Sequence, residues 1–116
     1  MITPKAVIAL KPADITLVLH GTPVTTYPYA TYQVLPGRRD RHMGGATETN
    51  RVQIDCWAQS AKAAAELMDA ITAAYDEQHT TIDGTPVTFL RNSSPSILKQ
   101  SRETWRATTD FVVVIG

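Results

Sequence analysis

The residues whose chemistry goes beyond packing are few: three histidines, one cysteine, and a cluster of arginines. His20, His42 and His79 lie in three separate segments. No two of them share a metal-ligand spacing with each other or with Cys56, so no metal site is expected. No serine sits in a nucleophile elbow, and "MGGA" lacks the lysine and following Ser/Thr of a phosphate-cradling loop. The reading is a protein with no catalytic residues and no cofactor. Cys56 falls on the apolar side of an alternating run and reads as an inert core thiol. Asp55 and Asp110 are candidates for a carboxylate pair across strands. Arg51 and Arg106 alternate with them, which favours solvated cross-strand ion pairs. "NSS" at Asn92 has the form of a glycosylation acceptor, but nothing directs secretion. The sharpest charge feature is "RRDRH", Arg38 to His42. Arg38, Arg39 and Arg41 form a basic loop tip suited to nucleic acid or an acidic protein surface. The bland alternative is a solvated loop whose arginines pair with Asp40. Without interleaved aromatics the run is not a base-reading element.

Those groups must be positioned by a small fold. A chain of 116 residues, 43% hydrophobic, is large enough to bury one core and reads as one domain over residues 1–116. Within it, residues 1–28 form an N-terminal segment and residues 29–116 a core. Eleven basic residues balance eleven acidic ones, so no global field recruits nucleic acid or an anionic membrane. One cysteine rules out an internal disulfide framework and fits a reducing compartment. In the N-terminal twenty residues Lys11, Pro12 and Asp14 interrupt the apolar patches, so neither a membrane span nor a signal peptide is read there. The expectation is a soluble, intracellular protein with no membrane partner.

Pro4 suits a first helical turn, and "KAVIAL" gives two turns before Pro12 stops them. "DITLVLHG" stays open between helix and strand: Asp14 is a plausible N-cap, yet the apolar residues alternate. "YATYQVL", Tyr29 to Leu35, reads as a strand, and Pro36 to Asn50 reads as a long loop with little to bury. "RVQIDCWA" alternates cleanly, with Val52, Ile54, Cys56 and Ala58 on one face and Arg51, Gln53, Asp55 and Trp57 on the other. Ser60 caps a helix whose apolar stripe runs through Ala64, Leu67, Met68, Ile71, Ala74 and Tyr75. Glu66, Asp69, Asp76 and Glu77 leave the rest of that helix surface acidic, opposed only by Lys62. "TTIDGTPVTFL" reads as a tight hairpin on Asp83-Gly84. A polar connection follows, then a last strand, "TWRATTDFVVVIG", apolar on both sides at its end as a central strand would be. The expected fold is α+β: a ββαββ core, a largely antiparallel sheet of four strands or slightly more, one long helix across a face, and a short N-terminal helical segment.

Taken together, "YATYQVLPGRRD", "RVQIDCWAQSAKAAAELMDAI" and "ETWRATTDFVVVIG" resemble the small tail-completion proteins of long-tailed phages and prophages, also called tail terminator or head–tail joining proteins. The resemblance runs from about Tyr29 to the C-terminus and rests on the order of elements, not on a reactive motif. It implies a non-enzymatic virion part, assembled in the bacterial host and placed at the neck end of the tail. Such proteins form a ring, commonly of six copies, that seats on the tail tube, ends its polymerisation and presents a surface to the head connector. The implied partners are other copies of the chain, the tube protein, the head-completion protein, and DNA passing through the opening. A ring needs a head-to-tail interface whose rotation closes. Arg38, Arg39 and Arg41 on one protomer, with Glu66, Asp69 and Asp76 on the next, are the expected complementary halves. The competing readings are a head-side adaptor of the neck and a small cytoplasmic ferredoxin-like module.

Overall fold

The computed structural model describes residues 2–24, 26–42 and 45–116, and of residues 36, 38–42 and 45–47 the backbone alone. Helix α1 (Ile2–Leu10) leads to a short strand β1 (Leu17–Leu19). Two long strands follow, β2 (Tyr29–His42) and β3 (Gly45–Ala58), then helix α2 (Ala61–Tyr75). The chain ends through β4 (Gln78–Ile82), β5 (Thr85–Arg91), β6 (Ser96–Lys99) and β7 (Trp105–Ile115).

These strands make one seven-stranded sheet in the order β1-β2-β3-β7-β5-β4, with β6 paired to β7. The β1–β2 pair is parallel and the others are antiparallel, so the sheet is mixed. This overturns the expectation of a four-stranded antiparallel sheet under one long helix. The protein is mostly β, with two short helices of 9 and 15 residues. Each discrepancy has a physical source. β1 settles "DITLVLHG", open between helix and strand in the sequence, as a strand of only three residues. All four residues of β6 are exposed, so it carries no burial signal and passes for a polar connection. The segment Pro36 to Asn50, expected as a loop, continues both long strands, with Met43 and Gly44 outside the described residues.

The sheet's apolar face was legible. Val52, Ile54, Cys56 and Ala58 of β3 are fully buried, as are Ala107, Phe111 and Val113 of β7. β7 is central, paired with β3 along its full length on one side and with β5 and β6 on the other. Helix α2 lays Ala64, Met68, Ile71 and Tyr75 onto this face. Complete burial of such side chains contributes about 1.5–3 kcal/mol each for the larger apolar ones. Ser60 caps α2 by accepting the Ala63 N–H at 3.1 Å. Asp83 and Gly84 turn the β4–β5 hairpin with φ of 51° and 80°, the left-handed pair a primed turn requires.

Tyr75 binds the two helices together. Its ring packs between Phe89 and Phe111, at centroid distances of 5.3 and 5.9 Å. Its hydroxyl donates to the Val7 carbonyl, which lies in the last turn of α1 where carbonyls lack intrahelical donors. Burial, then the neighbouring Tyr32, pushes the Tyr75 phenol well above the ordinary tyrosine range, so it remains a donor.

Candidate assembly surfaces

The β2–β3 hairpin reaches past the rest of the sheet. β7 ends opposite Glu48, and from there to Gly45 strand β3 is paired with β2 alone. A 14-residue strand spans about 46 Å at ~3.3 Å per residue, which accounts for most of the molecule's 54 Å long axis. The ladder slips between Leu35 and Arg38, leaving Pro36 and Gly37 in a bulge. Gly37 is required there, because a β-carbon would collide with the Thr49 carbonyl. Proline fits because, among the described residues, β2 has no strand neighbour on its other side at this height.

Arg38 and Arg39 therefore sit at the base of this two-stranded arm, opposite Thr49 and Glu48, which still pair with β7, and Arg41 lies beyond the end of β7, opposite Ala46. Their side chains lie outside the described residues. The three acidic candidates lie elsewhere, on and just after α2. Glu66 and Asp69 are exposed, and Glu66 lies 3.8 Å from Lys62 on the helix surface. Asp76 ends the helix, and its carboxylate accepts the Arg91 N–H at 2.9 Å, tying α2 to β5. The arginines and the acids belong to different elements of one chain, β2 for the first and α2 with its C-cap for the second.

The opposite face of the sheet is polar and held by its own contacts. Asp110 accepts from Arg51 at 2.8 and 3.1 Å, from Asn92 at 2.8 Å and from the Ser93 hydroxyl. Burial would raise its pKa, but the hydrogen bonds from Ser93, Asn92 and Arg51, and the charge of Arg51, more than offset that. Its carboxyl is held below the usual range. The cross-strand ion pair expected from the sequence thus exists between Arg51 and Asp110, but the Asp110 side chain is 11% exposed rather than solvated. Asp55 stands opposite Thr108 and receives long hydrogen bonds from Gln53 at 3.3 and 3.4 Å. Arg106 lies 5.6 Å over the Trp57 ring, which itself stacks 6.3 Å from Tyr29. Cys56 is fully buried, its thiol pushed up to about 12 by burial and by the Asp55 carboxylate. Among the described residues no group of His, Cys, Asp and Glu is arranged to hold a metal ion, and no helix is long and apolar enough to cross a membrane.

The surface therefore offers shape, edges and charge. The model of the family described as tail completion protein gp17 matches residues 5–116. The chain belongs to that family. It is a structural component of the phage tail, and its partners are other phage proteins of the tail and head. No curated protein matches the sequence.

Features that reading the sequence missed are the sheet's open borders. Among the described residues, β4, β6 and the upper half of β2 each have one side without a strand neighbour. The signals were present in part. "TTIDGTPV" gives a hairpin, but only the strand order shows that β4 is its outer member. "SILK" has too few residues and no burial to mark it.

Proposed function

We propose that the protein closes into a ring of identical copies, six by family resemblance, which caps the tail tube and offers its other face to the head connector. The ring ends tube polymerisation by covering the tube's last subunit layer. The single observation that supports this reading is the separation of two opposite charge clusters within one chain. The arginine-bearing arm belongs to β2 and the acidic surface to α2, separate elements of one protomer, and each suits the other on a neighbour. Such a pairing is heterologous, as a cyclic assembly requires.

Replacing Arg38, Arg39 and Arg41 together with Glu places like charges against Glu66, Asp69 and Asp76 of the next copy. The expected result, read by sedimentation velocity, is loss of the ring with an unchanged thermal melt of the protomer. Retention of the ring with impaired DNA packaging or ejection would instead assign the arginines to the central opening. Retention with normal particles would leave the three arginines without an assembly role.

A further inference from the structure

We infer that neighbouring copies join edge to edge, the open border of β2 on one copy pairing with the outer border of β4 on the next. The inference rests on the ring reading and specifies the surfaces that make it. Beyond β1, the outer side of β2 from Gln33 to His42 has no strand partner among the described residues. The Ala30 N–H donates to Thr16 and the Tyr32 carbonyl accepts from His20, so these positions turn their backbone groups toward β1. Val34, two residues on, turns its groups the same way where β1 has ended.

β4 is the last strand on the other side of the sheet. The two-residue turn at Asp83-Gly84 makes Ile82 and Thr85 a hydrogen-bonded pair, and Thr80–Val87 and Gln78–Phe89 follow as the same kind. Thr81 and His79 therefore direct their N–H and C=O outward. Pro86, with no N–H to give, stands opposite Thr81, as this phase demands. Among the described residues no other backbone hydrogen bond reaches that border.

Two open borders on opposite sides of one sheet form a head-to-tail interface. Left bare, each is a template for uncontrolled pairing. Charge selects the match. The β2 border runs into Arg38, Arg39 and Arg41, offset by Asp40. The β4 border is bracketed by Asp76 and Glu77 before it and Asp83 after it, offset by Lys5, whose ammonium lies 3.1 Å from Asp83. The occupant of each border is thus a second copy of this chain. The β6 border is a poorer match for the arm, since Arg91, Lys99 and Arg102 surround it against the single acid Glu103.

Two experiments test the pairing. Thr81→Pro removes an outward donor while sparing the β4–β5 ladder, and Thr81→Ala keeps the donor. Assembly should weaken about tenfold or more in the first and hold in the second, with both protomers giving unchanged circular dichroism. Independently, Gln33→Cys combined with Thr81→Cys or His79→Cys should give disulfide-linked ladders of copies under oxidation, reversed by reductant. The cross-link decides the matter if Thr81→Pro fails to fold. A ring that persists in folded Thr81→Pro and never cross-links overturns the edge pairing and leaves the ring standing. A wild-type chain that does not assemble overturns both.

Discussion

Asp110→Asn is the substitution that most sharply tests how the last third of the chain is held. Asp110 accepts from Arg51, Asn92 and Ser93, and Thr109 beside it donates to the Ser93 carbonyl at 2.9 Å. Together these contacts fasten the connection between β5 and β6 to β7. Hydrogen bonds to charged groups are worth about 1.5–3 kcal/mol each, so simple addition would overstate the loss. Asn92 and Ser93 are exposed and the Arg51 side chain is half exposed, so all three recover water when the carboxylate goes. Asparagine also keeps one acceptor. A net loss of about 2 kcal/mol remains. For a chain of this length that lowers the melting temperature by about 6–10 °C. The pH dependence carries a sign. The Asp110 carboxyl has a depressed folded-state pKa, so its contribution is fully present above the unfolded-state value, about 4, and is lost as pH falls through the lower folded value. Urea unfolding of wild type and variant should therefore differ most near about pH 7 and converge as the pH drops toward about 2. A difference under about 0.5 kcal/mol at neutral pH, or one that ignores pH, would refute the reasoning.

Two further predictions concern the core. Tyr75→Phe keeps the ring packing on Phe89 and Phe111 but strips the Val7 carbonyl of its donor. It should cost about 1–2 kcal/mol in chemical denaturation, with amide exchange accelerated first in α1. Cys56, fully buried with its thiol pushed up to about 12, should not react with a thiol reagent until the protein unfolds. Titration at native stoichiometry would contradict its placement.

What the sequence made legible follows burial. Val52, Ile54, Cys56 and Ala58 could be assigned to one face because period-two alternation survives wherever one side of a strand meets a core. The α2 stripe and the Ser60 cap were equally plain, since helical spacing and a capping hydroxyl are local signals. The arm was not, because Pro36 to Asn50 carries almost nothing apolar and is held by backbone pairing, which side chains do not report. β6 was missed because its apolar residues, Ile97 and Leu98, are adjacent and both exposed, so no alternation marks it. The β1 stretch stayed open between helix and strand. The mixed topology then followed from these omissions: without β1 the sheet has no parallel pair. The charged candidates were found as residues. Their relation was not legible, since the arginines were read onto a loop that the structure pairs into β2 and β3.

The most direct test of the central claim is the solution mass of the wild-type protein, alone and with its tail tube protein. The account predicts one closed species at a fixed multiple of the 12.7 kDa protomer, formed alone or on the tube. A species that remains at 12.7 kDa even with the tube supplied, or an open-ended ladder of masses, would contradict it.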